Sequence, residues 1–191
     1  MNRCLALSAT MLGAAALLGC DPGGTDASAP RQGHSANDLD VDPDAEIIMH
    51  AVERSTPTRA GLAYIRAAAD VLTQAEAATG DERIQVLRRG LALPVPANLG
   101  EAEILRLEMG TTLAETLLER PSGAPVARDL LMPMLAVERS LPLDRVTARA
   151  LVTLGDATAK TGQDALAAGS YGRALRVMNR LREELVEEME R

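Results

Sequence analysis

Apolar residues recur every three or four positions from about residue 45 onward, which is the spacing of amphipathic helices. No segment shows the period-two alternation of a half-buried strand. Prolines, glycines and capping residues divide the pattern into six or seven helices. They are expected over 45–54, from Thr56 or Thr58 to Gly80, from Asp81 to Pro94, from Asn98 to Pro121, over 124–140 with a kink at Pro133, over 143–161 and over 163–190. We therefore predict an all-α domain of antiparallel helical hairpins over residues 45–191.

The first twenty residues follow a different pattern. Arg3 precedes an unbroken, mostly apolar segment from Leu5 to Leu18. As a helix this segment is about 21 Å long, which is shorter than the roughly 30 Å hydrocarbon core that a membrane-spanning helix crosses. A positive start, a short apolar core and a small residue before the cut are typical of a secretory signal. The segment ends in Leu17-Leu18-Gly19-Cys20, which resembles the lipobox of bacterial lipoproteins.

The lipobox resemblance implies a cellular location and a lipid anchor. Residues 1–19 would be the signal peptide that is removed, and Cys20 would carry the lipid (palmitate among its acyl chains). A single acyl chain binds membranes only marginally, and bacterial lipoproteins carry two or three. The protein is then expected in the cell envelope, on the extracytoplasmic side of a bacterial membrane. Asp21 favours inner-membrane retention in enteric bacteria, but the choice of membrane stays open. The alternative is a freely secreted protein in which Cys20 is incidental.

Residues 20–44 are predicted to be the lipidated cysteine followed by a disordered linker. Asp21–Asp44 contains three prolines, three glycines and six aspartates against one arginine. Too few apolar side chains are present to offset the entropy of ordering the chain. A flexible coil of this length spans roughly 25–30 Å. Cys4 would leave with the signal peptide, so the mature protein is expected to contain no thiol and no disulfide.

Charge and composition exclude several classes of protein. Loss of Arg3 leaves 19 basic and 27 acidic residues, a net charge of 19 − 27 = −8, which argues against nucleic acid as a partner. One lysine and two histidines offer no nucleophile with a base, so we expect no catalytic residues, no enzyme and no cofactor. His50 would share a helical face with Glu46 and Glu53, but zinc sites need further ligands, and no metal site is predicted.

The last predicted hairpin carries an internal signature over residues 148–181. Its spacing is Leu151-x-x-Leu154-Gly155-x-x-Thr158, then Ala167-x-x-x-Tyr171-x-x-Ala174. This pattern resembles a degenerate tetratricopeptide repeat, in which leucine and threonine replace the usual aromatic residues. Gly110 and Gly61 begin weaker echoes of it. The resemblance implies a short right-handed solenoid in which Leu154, Gly155, Ala167, Tyr171 and Ala174 pack the repeat, with Tyr171 between neighbouring hairpins. The alternative is a generic helical bundle.

In such a solenoid the first helix of each hairpin lines a concave groove. The residues expected on its exposed face are Arg66, Thr111, Glu115, Arg149, Asp156 and Lys160. A mixed-charge groove suits an extended peptide or a helix, because arginine makes paired hydrogen bonds to carboxylates. The alternative is that these residues are ordinary solubilising charges.

The predicted function is a membrane-anchored scaffold, adaptor or assembly factor for an envelope complex, similar to the tetratricopeptide lipoproteins known as pilotins. The partner would be another envelope protein or a peptide segment. The alternative is a lipoprotein that binds a small ligand or a cell-envelope component in an apolar pocket. An apolar stripe on the last helix (Leu175, Met178, Leu181, Leu185 and Met189) is expected to cap the stack, and the alternative for it is self-association.

Overall fold

Six α-helices and one pairing of two short strands make up the part of the chain that the computed structural model describes, namely residues 47–52, 56, 58–96, 99–137 and 139–191. The predicted all-α class is confirmed over these residues. The helices are α1 (Arg59–Ala77), α2 (Gly80–Leu91), α3 (Gly100–Leu118), α4 (Ala124–Leu131), α5 (Arg145–Lys160) and α6 (Asp164–Met189), and the strands are β1 (Met49–His50) and β2 (Leu141–Pro142).

The helices pack as three hairpins, α1–α2, α3–α4 and α5–α6. Each hairpin also contacts the next one in a regular way. The second helix of a hairpin lies against the first helix of the following hairpin, and the first helices α1, α3 and α5 lie side by side. Helix α6 packs chiefly on α5. The hydrophobic core is continuous through all three hairpins, and its most deeply buried large side chains are Leu87, Met109, Leu131, Leu151 and Val177.

Local signals explain where several helices begin. The Thr58 hydroxyl accepts a hydrogen bond from the backbone N–H of Gly61 at 3.1 Å, which confirms one of the two predicted caps of α1. The Asp144 carboxylate caps α5 in the same way, at 2.7 Å from the N–H of Val146. Gly80, the first residue of α2, has a φ value of 56°, and Gly162, in the turn between α5 and α6, has a φ value of 75°. Only glycine adopts such φ values without a steric penalty.

The predicted helix over 45–54 is wrong for residues 47–52, the part of that range that the structure describes. Met49 and His50 form a strand that pairs in parallel with Leu141 and Pro142. The N–H of Leu141 donates to the Ile48 carbonyl, and the N–H of Leu143 donates to the His50 carbonyl, both at 2.9 Å. Pro142 is tolerated because the residues on either side of it supply these donors. A ladder of two residues is too short to leave a period-two pattern, and its partner strand lies about ninety residues away.

The predicted helix over 124–140 is also corrected, because α4 ends at Leu131 instead of continuing with a kink. Proline has no backbone N–H and clashes with the preceding helical turn, so Pro133 ends the helix. The chain then turns, with the N–H groups of Met134 and Leu135 both donating to the Leu131 carbonyl at 3.0 Å. This turn lets the chain return to β2 beside β1.

The predicted signal peptide and linker, residues 1–44, lie outside the described residues. Within the described ranges, none of the helices is both long and apolar enough to cross a membrane.

Candidate functional site

The residues of the predicted repeat lie together in the α5–α6 hairpin. Gly155 of α5 is buried directly against the Tyr171 ring of α6, and a methyl group added at Gly155 would overlap that ring. Leu154, Ala167 and Ala174 are also buried. The Tyr171 hydroxyl donates to Asp156 at 2.7 Å, and this bond raises the pKa of Tyr171 above its ordinary value. Tyr171 therefore packs within its own hairpin, so the expectation that it fills the space between hairpins is wrong.

The middle hairpin shows a related contact. A Cβ atom at Gly110 of α3 would lie 2.8 Å from the sulfur of Met134, which follows α4. In both hairpins, then, a glycine on the first helix receives a large side chain from the second half of the hairpin. Small residues at such points allow close approach of the two segments. Gly110 therefore makes a close contact similar to that of Gly155, although the side chain that it meets, Met134, lies after α4 rather than within it.

Two of the predicted groove residues, Glu115 and Arg149, form an ion pair between α3 and α5. The Arg149 Nε atom donates to Glu115 at 2.8 Å, Nη2 donates to the other oxygen of the same carboxylate, and Nη1 donates to Glu108 at 2.7 Å. The hydrogen bond with Glu115 raises the pKa of Arg149, and burial opposes this effect. The guanidinium is therefore engaged with two carboxylates of the neighbouring helix.

The other predicted groove residues differ in environment. Arg66 is exposed on α1, and the Lys160 ammonium donates to the Leu118 carbonyl at 3.2 Å, at the end of α3. Asp156 is exposed and accepts from Tyr171. Thr111 was expected on the exposed face, but it is fully buried, and its hydroxyl donates to the Leu107 carbonyl at 2.8 Å. That expectation is wrong because α3 lies between two other hairpins.

A cleft of about 350 Å³ opens on another side of α3, between the ends of α2 and α4 and beside β2. An adjoining cavity of about 360 Å³ shares three lining residues with it, namely Glu103, Arg106 and Arg139. We call the two together the α3 cleft. Its apolar walls include Leu91, Leu107, Leu130, Met134 and Leu141.

A chain of polar side chains lies beside this cleft. His50 Nδ1 lies 2.9 Å from the Ser140 hydroxyl, and His50 Nε2 lies 3.8 Å from Glu103. Arg139 approaches the other oxygen of Glu103 at 3.6 Å. The order serine, imidazole, carboxylate is that of acyl-transfer enzymes, but 3.8 Å exceeds a hydrogen bond, so the carboxylate does not orient the ring as a catalytic triad requires. These polar contacts instead connect β1 and the residues beside β2 to α3.

The sequence offered no local signal for this polar chain. His50 and Ser140 are ninety residues apart, and they meet only because β1 pairs with β2. The predicted helical face containing His50 is wrong for the same reason, since His50 lies in a strand, and Glu46 and Glu53 are outside the described residues. Among the residues that the structure describes, no group of three or more histidine, cysteine or acidic side chains is placed to hold a metal ion.

Helix α6 contributes two further features. The Arg173 guanidinium is buried and donates to the Leu135 carbonyl at 2.8 Å, which joins α6 to the turn after α4. Further along, α6 leaves several large apolar side chains exposed: Leu175, Met178, Leu185, Val186 and Met189. Of the predicted stripe, only Leu181 packs against the core. The exposed members therefore do not cap the stack through contacts with α5.

None of the protein-family models, curated proteins or solved structures compared with the chain matches it. The described residues form an all-α protein of three packed helical hairpins, with an apolar cleft beside the middle hairpin.

Proposed function

We propose that the protein is a lipid-anchored lipoprotein of the bacterial cell envelope that binds another envelope protein as a scaffold, adaptor or assembly factor. The observation that carries this proposal is the packing order of the helices, in which α1, α3 and α5 lie side by side and each second helix bridges to the next hairpin. Contact between successive units alone is typical of repeat proteins, which use extended surfaces to bind other proteins.

The proposed fold is a short, right-handed solenoid similar to tetratricopeptide repeats. Its support is the order of contacts, together with the two glycines, Gly155 and Gly110, that receive a large side chain from the second half of their hairpins. In this arrangement α1, α3 and α5 present one concave face. Three hairpins meet the minimum number of repeats that a stable stack needs.

The concave face has both charged and apolar groups for a partner. Arg66 is exposed on α1, and Leu62 lies one helical turn before it. On α5, Val152 is exposed next to the turn that carries Arg149. The Arg149 guanidinium is already paired with Glu108 and Glu115. The face therefore suits a segment that supplies apolar side chains and a carboxylate for Arg66, with the Arg149 cluster holding α3 and α5 in position.

Photo-crosslinking tests the proposed face directly. A photoreactive side chain at Val152 would face the partner, whereas the same group at Val126 of α4, equally exposed, lies on a second helix. In intact envelopes we expect a crosslinked species of defined mass from position 152, at least fivefold more abundant than from position 126. Equal labelling from the two positions, or none from position 152, would exclude this face as the binding surface.

The proposed anchor rests on the lipobox resemblance of residues 17–20. A Cys20→Ser substitution removes the sulfur that would carry the lipid. We expect this variant to leave the membrane fraction, while Cys4→Ser, which changes a residue of the predicted signal peptide, stays in it. If the Cys20→Ser protein remains in the membrane fraction, the anchor is wrong.

A second candidate function is the binding of a small apolar ligand, and the α3 cleft favours it. The first of its two cavities has a volume of about 350 Å³, which lies within the range of small-molecule sites, and its walls are mostly apolar. Arg106 and Arg139 lie at positions where they would meet an acidic head group. Native mass spectrometry of the purified protein tests this, since a bound small molecule would appear as a discrete added mass. A Leu130→Arg substitution should abolish that added mass.

A further inference from the structure

The α3 cleft combines an apolar space with a charged wall. The three residues that line both of its cavities are all charged, and we call them the charged wall: Glu103, Arg106 and Arg139. Beyond them, the first cavity continues between apolar side chains, among them Leu107, Leu130, Met134 and Leu141. A site of this kind fits a ligand that has an apolar part and a charged head group.

The ion pairs around the cleft determine which charge that head group should carry. Asp129, the other acidic residue of the lining, is paired with the preceding arginine at 2.7 Å. Glu103 lies 3.6 Å from Arg139 and 3.8 Å from His50. Arg106 follows Glu103 by one helical turn, but it forms no ion pair or hydrogen bond with any residue that the structure describes. Both carboxylates of the lining are therefore paired, and the unpaired charge is positive.

The two arginines of the charged wall have N–H groups left for an anionic ligand. A guanidinium has five N–H donors, and it binds carboxylate or phosphate oxygens through two parallel hydrogen bonds. Arg139 uses one donor for the Pro133 carbonyl, at 3.4 Å. Hydrogen bonds between ionised groups are roughly twice as strong as those between neutral groups. An anionic head group at Arg106 and Arg139 should therefore add to the affinity as well as orient the ligand.

The volume of the first cavity limits the apolar part of the ligand to one short chain. A cavity of about 150 Å³ admits benzene, which has six carbon atoms. The first cavity, at about 350 Å³, therefore has room for roughly ten to fourteen carbon atoms. The paired acyl chains of a bilayer lipid exceed this volume, whereas a single chain of about ten carbon atoms fits.

We propose that the α3 cleft binds a single-chain amphiphile with an anionic head group. The chain occupies the first cavity, and the head group binds Arg106 and Arg139 in the charged wall. The proposal rests on the second candidate function, which places a small ligand in this cleft, and it adds the charge and the shape of that ligand. A fatty acid and an alkyl phosphate share this chemistry, so both head groups enter the test.

Calorimetric titration with matched probes tests the charge of the head group. Decanoate, decyl phosphate, 1-decanol and decylammonium have the same alkyl length to within one methylene group and differ in head group. The full chain is made by cell-free synthesis without membranes or detergent, so that no other amphiphile competes. We expect the tighter of the two anions to bind at least fivefold more tightly than 1-decanol and at least tenfold more tightly than decylammonium. Raising the salt concentration should weaken only the binding of the anions.

A shorter anion tests the apolar part of the cleft. Hexanoate lacks four of the methylene groups of decanoate, and each buried methylene group should tighten binding about fourfold. We therefore expect hexanoate to bind at least tenfold more weakly than decanoate. Leu130→Trp, which places a larger side chain in the first cavity, should weaken the binding of decanoate and 1-decanol alike.

Two arginine variants test the residue that recognises the head group. Arg106 is exposed, so Arg106→Gln should leave the fold intact. We expect it to weaken the binding of decanoate at least fivefold and that of 1-decanol less than twofold. Arg59→Gln removes an exposed arginine of α1, a helix that contributes no described residue to the lining, and should change neither. Equal losses in the two variants would overturn the assigned role of Arg106.

The outcomes also separate this proposal from the function on which it rests. If 1-decanol or decylammonium binds as tightly as both anions, the cleft remains a small-ligand site and the anionic head group is wrong. If none of the probes binds, the small-ligand site and the proposed ligand are both wrong.

Discussion

Helices α3 and α6 are both long, but only α6 has one apolar and one polar side, and the surroundings of the two helices differ greatly. Ten of the nineteen residues of α3 are buried, compared with six of the twenty-six residues of α6. Helix α3 contacts α1, α2, α4 and α5, whereas α6 packs chiefly on α5. The position of a helix in the stack, and not its own pattern alone, therefore determines how much of it is buried.

The difference in burial between α3 and α6 also determines which polar residues each helix tolerates. Thr111 and Thr116 are buried in α3, and their hydroxyls donate to the carbonyls of Leu107 and Thr112, each at 2.8 Å. A buried hydroxyl with such a partner avoids the cost of an unsatisfied polar group. In α6 the equivalent outer face carries arginines and glutamates, which remain in water.

The largest expected difference in stability is between variants of two methionines, Met109 of α3 and Met189 of α6. Met109 is fully buried, and Met189 is 79% exposed. Met109→Ala leaves a cavity between hairpins, and we expect it to lower the free energy of unfolding by about 2–5 kcal/mol. Met189→Ala should change it by less than about 0.5 kcal/mol. Urea unfolding at low protein concentration measures both, and similar losses in the two variants would contradict the assigned burial.

The next largest difference in stability is expected between alanine variants of two glycines in the last hairpin, Gly155 of α5 and Gly172 of α6. Gly155→Ala adds a methyl group that overlaps the Tyr171 ring, and overpacking of this kind costs about 1–3 kcal/mol. Gly172→Ala on α6 places its Cβ 3.8 Å from Arg176, an ordinary contact, and should stabilise the protein by up to about 1 kcal/mol through helix propensity.

Thermal unfolding measures both glycine variants. In a Tyr171→Ala background the Gly155→Ala change should lose its cost, because the ring that it meets is gone. If Gly155→Ala destabilises equally with and without the ring, the close contact between α5 and α6 is wrong.

A smaller contribution to stability is expected from ion pairs, and a pair between two helices should contribute more than a pair within one helix. Arg149 and Glu115 join α5 to α3, and both side chains are partly exposed. A double-mutant cycle with alanine at both positions should give a coupling of about 0.5–1 kcal/mol, near the upper end for exposed pairs. The Arg180–Glu183 pair within α6 should give about 0.3 kcal/mol. Both couplings should shrink in high salt. A larger coupling in α6 would reverse the order expected.

The smallest effect is a pH dependence of the contact between Tyr171 and Asp156. The hydrogen bond to Asp156 raises the pKa of Tyr171 from its ordinary 10.0. The contribution of this bond is therefore fully present below about pH 10 and is lost as the pH rises through the higher pKa of the folded state. Tyr171→Phe should lower stability at pH 8 by no more than about 1 kcal/mol. The difference from the native chain should disappear at higher pH, and a difference that persisted there would exclude the hydrogen bond as its cause.

The sequence was sufficient to predict the helical class and most of the turns, because these depend on local signals. Thr58 caps α1 as one of the two expected residues, and Gly162 separates α5 from α6. The errors arose where distant residues decide the structure. The pairing of His50 with Pro142 requires a partner that local periodicity does not reveal. The burial of Thr111 requires neighbouring hairpins on more than one side of α3.

At the candidate site, too, local patterns in the sequence predict only part of the structure. Helical spacing was enough to place Glu115 and Arg149 on facing helices, because both lie on stripes that repeat every three or four residues. Spacing did not show that the two would pair with each other and with Glu108. An apolar pocket was considered as an alternative, but the location and lining of the α3 cleft were not predicted, since its walls come from separate segments that meet only in the folded chain.

We propose above all that Cys20 carries a lipid that attaches the hairpin domain to a membrane. Mass spectrometry of the protein isolated from membranes tests this claim. We predict a mature chain that begins at Cys20 and carries the added mass of two or three acyl chains on that residue. A chain that begins at Met1 with an unmodified Cys20 would contradict the claim.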